Sequence, residues 1–331
     1  MCCHQVTQLG RLDENVEVLD LWNSPVAKEI RQDTFAGQLH PVCASWNSCP
    51  YQTKEKIVGP IRMYRRAAYP SHLEISLPDT HCNIGGNSPT DKNPACIMCR
   101  RNFQVTHSPD ITRFLCRKAR PIMPYLTSLC VLGIAEPFWK DAVFDVFDWV
   151  EFYRYRHQVV FTTNTNGTCL NEKTATRFFK AVDFSDISWS LDAATPETFR
   201  KIRRLNAFDK IVDNLRKWVR LRKEHGGHSL HRVSIYNNIN LLNVHEMTHM
   251  VEMAADIGVD SMIMLPTYDQ AGVVDLGELV LGPKNVNTFA ESAESAMDRA
   301  RQLGLDLQYS KPFDQLPPPP PNTQSLVTLE V

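Results

Sequence analysis

No apolar run in these 331 residues is long enough to cross a membrane, and the N-terminus, MCCHQ, lacks the charged-then-apolar segment of a secretory signal. A cytoplasmic protein is therefore expected. Neither sign of charge is in excess: 36 Lys and Arg against 37 Asp and Glu leave a formal net charge of −1, which argues against a nucleic-acid scaffold. The basic stretches 200–204 and 216–223 then read as solvated helix faces, and neither a nucleic-acid nor a membrane partner is expected. What is present, 43% hydrophobic and 22% charged residues, suits a globular chain with room for one large domain and a smaller one.

Disulfides are disfavoured in a reducing compartment, so the ten cysteines read as metal ligands, catalytic thiols or small buried residues. They are unevenly grouped. Cys2, Cys3, Cys43 and Cys49 lie early, Cys82, Cys96 and Cys99 follow, and Cys116, Cys130 and Cys169 stand alone. Three thiolates at 82, 96 and 99 suffice to hold an iron–sulfur cluster with one iron left open. The same residues with His81 as a fourth ligand would hold structural zinc, so both readings stand at this point.

Along the chain, residues 1 to about 60 form a first unit with one good helix, capped by Asn23 or Ser24, started by Pro25 and ended by Gly37. From Leu73 the pattern changes to repeated β-α units. Strands are expected near 73–77, 127–133, 158–163, 186–191, 232–236 and 260–265, with helical segments at 138–156, 171–181, 196–223, 243–257 and 284–304. Thr195, Pro196 and Glu197 make a clear helix start. Six parallel strands imply an open doubly wound sheet or an incomplete barrel, and in both architectures ligands collect at the C-terminal strand ends. The tail, from 311 and including Pro317–Pro321, reads as an extended spacer.

Polar groups recur at those ends. Glu136 follows the second strand and could accept hydrogen bonds from an ammonium group. Asn166, Gly167 and Thr168 follow the third, where the glycine permits a tight turn beside polar side chains. Ser190 and Asp192, two apart at the end of the fourth, would share one face and suit a ribose. Cys169 is a candidate hydrogen donor to a substrate radical, or a small buried residue of the loop.

Over about residues 70 to 270 the chain resembles the radical S-adenosylmethionine (SAM) enzymes, and SLDAATPETFRKIRR followed by FDKIVDNLRK is typical of the subgroup with SPASM or twitch auxiliary-cluster domains. The resemblance implies an α/β fold, a partial (β/α)6 barrel spanning 70–310, with a 4Fe-4S cluster on Cys82, Cys96 and Cys99 and SAM bound at the open iron. SAM would be cleaved to methionine and a 5′-deoxyadenosyl radical. Glu136 falls in the segment that meets the SAM amino group, Ser190 and Asp192 where ribose contacts occur, and Arg203 is a candidate for the SAM carboxylate. Asn166 belongs to the same cofactor pocket, and Asn243 and Glu246 match the usual asparagine and glutamate after the fifth strand.

Two departures from the family pattern are evident. The usual C-x3-C-x2-C spacing is replaced by thirteen residues between Cys82 and Cys96, and Ile134 and Ala135 stand where glycines are usual. Residues 1–60 look like part of a SPASM-type auxiliary-cluster module, with Cys2, Cys3, Cys43 and Cys49 as its ligands. The implied activity is hydrogen abstraction from a small polar metabolite, ending in oxidation or epimerisation, with flavodoxin or ferredoxin as electron donor. The alternatives are a radical SAM peptide-modifying enzyme and a non-catalytic zinc-binding interaction protein.

Overall fold

The computed structural model describes residues 9–38, 40–41, 68–77, 82, 96–98, 109–132, 136–267, 279–281 and 285–309. Cys2, Cys3, Cys43, Cys49, His81, Cys99, Ile134, Ala135 and the tail from 311 lie outside the described residues. Among those described, no helix is long and apolar enough to cross a membrane.

Among the described residues, seven strands form one parallel sheet whose spatial order is the chain order: β1 (His72–Ser76), β2 (Ser128–Leu132), β3 (Val160–Thr165), β4 (Ser185–Ser190), β5 (His231–Ile239), β6 (Ser261–Pro266) and β7 (Asp306–Tyr309). Crossovers between neighbouring parallel strands are right-handed, so a sheet that never reverses its order carries its helices on one face and curls toward a barrel. The helices are α1 (Val18–Trp22), α2 (Pro25–Phe35), α3 (Pro109–Ala119), α4 (Ala142–Trp149), α5 (Glu172–Ala181), α6 (Pro196–Arg203), α7 (Phe208–Glu224), α8 (Met247–Ile257) and α9 (Val286–Leu303).

The α/β barrel-like fold is the one expected, with differences in detail. β7 is a seventh strand, built from the alternation in Asp306–Tyr309 after the helix-ending Gly304. The segment expected as one helix over 196–223 is two, because Arg204 takes a left-handed conformation (φ 52°) that ends α6. In the 138–156 segment only Ala142–Trp149 is α-helical, with Lys140, Asp141 and Glu151 at positive φ on either side. In α2 the Ser24 hydroxyl accepts from the Ala27 N–H at 3.3 Å and Pro25 fills the first turn, the start expected from sequence.

Alternation of side chains sorts the sheet into two chemically different faces. Ile75, Val131, Phe161, Ile187, Trp189, Val233, Ile235 and Met262 turn toward the helices and join one continuous core with Phe144, Phe147, Phe178 and Trp218. Val18 and Leu19 of α1 pack against the same core, and Lys118 of α3 bonds Glu17 Oε1 at 2.7 Å and the Glu14 carbonyl at 2.8 Å. The other face is mixed. Thr162, Asn164, Asp186, Ser188, Arg232 and Ser234, together with the apolar Leu132 and Ile263, line a cleft of about 330 Å³ along it.

Candidate active site

The C-terminal strand ends bring together most of the described residues expected to act. After β2, Glu136 is buried (2% exposed) and accepts hydrogen bonds from Thr165 Oγ1 at 2.6 Å, the Asn166 N–H at 2.7 Å and the Phe138 N–H at 3.4 Å. Burial raises its pKa to about 7 even though these donors, and the more distant charge of Arg203, pull it down. The carboxylate thus ties the β2 exit to the β3 exit, and a nearby ammonium group would relieve its burial.

The turn after β3 is fixed by its own side chains. Asn166 Oδ1 accepts from the Thr168 N–H at 3.0 Å and from Thr168 Oγ1 at 2.5 Å, while Thr165 Oγ1 accepts from the Gly167 N–H at 3.0 Å. Gly167 sits at φ +75°, with its carbonyl accepting from Asn214 Nδ2 of α7 at 2.9 Å. With Oδ1 committed to the turn, the amide end of Asn166 is aimed the other way, and Nδ2 donates to Cys82 Sγ at 3.7 Å. Cys169 is half-buried in the same loop, its thiol beside Thr168 Oγ1 at 3.7 Å, and burial pushes its pKa up to about 11, so it keeps its proton near neutrality.

After β4, Asp192 and Arg203 pair with each other. Asp192 is 0% exposed and Oδ2 accepts from Arg203 Nε and Nη2, while Oδ1 accepts from the Asn238 N–H at 2.8 Å. Both carboxylate oxygens thus already accept hydrogen bonds, and Ser190, at the end of β4, is half-buried. Arg203 is likewise committed: its remaining terminal nitrogen, Nη1, donates to Cys96 Sγ at 3.8 Å. Burial disfavours its charge, but Asp192 and the Cys96 sulfur outweigh that and hold its pKa above the ordinary value.

Asn243 and Glu246 brace this corner. Asn243 Nδ2 donates to the Asp192 carbonyl at 2.7 Å and the Asn238 carbonyl at 2.9 Å. Glu246 accepts from the Ala194 N–H at 2.7 Å, Thr195 Oγ1 at 2.7 Å and Thr198 Oγ1 at 2.6 Å, which anchors the first turn of α6.

Two thiols, Cys82 and Cys96, are thus carried to the same end of the sheet and each receives an N–H from a different β-α unit. Among the described residues no group of three His, Cys, Asp or Glu side chains converges on a metal position; Cys99, the third expected ligand, lies outside them. Thiols that already accept N–H donors are suited to bind a soft metal centre as thiolates. Sequence reasoning passed over the polar cleft, including Asp186, Arg232 and the Cys130 thiol, whose pKa burial raises to about 11. The signal was there in the SDISWS of β4, where Asp186, Ser188 and Ser190 alternate with apolar residues.

No family model matches the chain, and no curated protein matches its sequence. Among solved structures, Streptococcus suis SuiB bound to the precursor peptide SuiA aligns with a TM-score of 0.52 and 14% identity over 91% of this chain and 66% of SuiB. SuiB bound to S-adenosylmethionine aligns with a TM-score of 0.50 and 15% identity over 91% of this chain and 66% of that one. Native anSMEcpe with bound AdoMet and a peptide gives 0.50 and 12% identity over 72% of this chain and 62% of that one. The parallel α/β fold is thus shared with SuiB and anSMEcpe. The chain spans just under two thirds of SuiB's length.

Proposed function

We propose that this protein is a radical SAM enzyme that modifies a peptide, with a 4Fe-4S cluster on Cys82, Cys96 and Cys99 and SAM beside Glu136, Asn166 and Ser190. The observation that carries the reading is the meeting of the Cys82 and Cys96 sulfurs with Asn166 Nδ2 and Arg203 Nη1, at 3.7 and 3.8 Å, at the strand ends where such folds bind ligands. When bound, the reduced cluster and SAM together supply a 5′-deoxyadenosyl radical that takes a hydrogen atom from the substrate. The chain's own residues supply the rest. Buried Glu136, with a pKa of about 7, gains from an ammonium partner of the kind SAM carries, and Ser190 offers a half-buried hydroxyl to the ribose. Flavodoxin or ferredoxin would deliver the electron.

A peptide substrate is supported by SuiB, whose structure holds the precursor peptide SuiA, and by the peptide in anSMEcpe. A small polar metabolite, the substrate expected from sequence, is the second reading, favoured by the size and hydroxyl-rich lining of the 330 Å³ cleft. Two outcomes of the chemistry go with different residues. Oxidation would use an auxiliary cluster on Cys2, Cys3, Cys43 and Cys49 in a 1–60 module; epimerisation would use Cys169 as hydrogen donor.

The test is anaerobic incubation of iron-reconstituted protein with SAM, dithionite and deuterated candidate peptides or metabolites. Formation of 5′-deoxyadenosine, lost when Cys82, Cys96 and Cys99 are all replaced by Ala, is the expected result. Deuterium arriving in 5′-deoxyadenosine from a peptide selects the main reading, and from a metabolite alone the second. Undiminished 5′-deoxyadenosine from the triple variant overturns both.

A further inference from the structure

Arg203 and Asn166 present unlike groups to the two thiols. Cys82 receives a neutral amide, whereas Cys96 receives one arm of a buried guanidinium. That guanidinium cannot swing, because Nε and Nη2 are both on Asp192 Oδ2, and Asp192 is itself fixed through Oδ1 to the Asn238 N–H at 2.8 Å. The turn that carries Cys96 is held to the same place by its backbone: the Ile97 N–H donates to the Ile202 carbonyl, at the end of α6, at 3.0 Å. The left-handed Arg204 stops the helix at this point and turns the chain away. A helix end, a clamped cation and a cysteine sulfur are thus locked into one unit.

We infer that Arg203 is a positioning residue for the cluster proposed above: it fixes Cys96 as a ligand and, through its N–H to the sulfur, makes that cluster easier to reduce. The inference rests on the cluster reading and adds a setting for its potential. Reduction places negative charge on the ligating sulfurs, so a donor aimed at one of them stabilises the reduced state more than the oxidised one. Asp192 partly cancels the guanidinium charge, but the donating N–H is the nearer end of the pair, and burial preserves the effect of its direction.

Signs of opposite direction therefore follow from the two halves of one ion pair. Removing the donor in Arg203→Gln should make the potential more negative. Neutralising the carboxylate in Asp192→Asn leaves the cation uncancelled and should make it less negative. Arg203→Lys keeps the charge without the fork and should fall between wild type and Arg203→Gln. A purely structural role would move all three variants in the same direction, through a loosened cluster.

The experiment is a reductive titration, without SAM, of the anaerobically reconstituted full chain and the three variants, following the electron paramagnetic resonance signal that Cys82→Ala abolishes. Iron per chain and circular dichroism are measured in parallel. The ordering Asp192→Asn above wild type, then Arg203→Lys, then Arg203→Gln is the expected result. Iron-loaded variants with unchanged potentials, or with shifts of one sign, overturn the inference alone. Should Arg203→Gln fail to fold, the Asp192→Asn and Arg203→Lys values decide, and equal or same-sign shifts there overturn it. Wild-type protein that takes up no iron defeats the cluster reading and this inference with it.

Discussion

Replacing Gly167 by Ala tests how tightly the site turn is seated on the core. At φ +75° a Cβ is strained in its own backbone, a cost of about 1–2 kcal/mol by the penalty for left-handed L-residues. The new atom would also lie 2.6 Å from Trp189 Cε3 and Cζ3 and 2.9 Å from Ile211 Cγ2. Trp189 has no room to give way: it is 0% exposed and meets Trp218 edge-on with ring centroids 6.1 Å apart. Overpacking of this kind costs about 1–3 kcal/mol, so the total loss should be about 2–5 kcal/mol. Urea denaturation of wild type, Gly167→Ala, Trp189→Leu and the double variant measures it. In the Trp189→Leu background the methyl should cost about 1–3 kcal/mol less than in wild type, the remainder being backbone strain and Ile211. A loss below about 0.5 kcal/mol in wild type, or an equal loss in both backgrounds, would refute the reasoning.

Glu136 has its folded pKa raised from 4.5 to about 7, so its neutral form stabilises the fold fully below the unfolded value and that stability is lost as pH rises through about 7. The stability of Glu136→Gln relative to wild type should rise by about 3 kcal/mol between about pH 4 and pH 8, read from denaturation at each pH, and a constant difference would contradict this. Glu246→Ala leaves the Ala194 N–H and the Thr195 and Thr198 hydroxyls without their shared acceptor and should cost about 2–4 kcal/mol in the same assay; a loss under about 1 kcal/mol would show that water replaces it. For epimerisation, product formed in deuterated water should carry solvent deuterium through the Cys169 thiol. Undiminished label from Cys169→Ala would exclude that donor.

The repeating strands were legible because each has apolar residues facing the helices, and Thr195–Pro196–Glu197 announced α6 through capping chemistry that needs no tertiary context. What escaped notice depends on contacts or on conformation without a sequence marker. The break at Arg204 uses a left-handed residue that is not glycine, so the basic amphipathic pattern runs on past the end of the helix. The α3 helix did have signals, with Pro109 and Asp110 at its start and Arg117 and Lys118 at its end, but its length fell between elements read as one long connection. Glu136, Asn166 and Cys82 could be gathered at one end of the fold by motif and topology. The commitment of Asp192 to Arg203 could not, since it joins a strand exit to the last residue of the following helix, eleven positions on.

A sheet whose spatial order is the chain order can be laid down as the chain leaves the ribosome, each strand docking on the open edge of the one before. The cysteines emerge early in that schedule. Cys82 is synthesised 84 residues ahead of Asn166, and Cys96 107 residues ahead of Arg203. At about 5–20 residues per second these sulfurs wait roughly 4–20 s before either donor exists. On the cluster reading proposed above, insertion would follow formation of the α6 corner, as a late maturation step rather than a nucleus for folding.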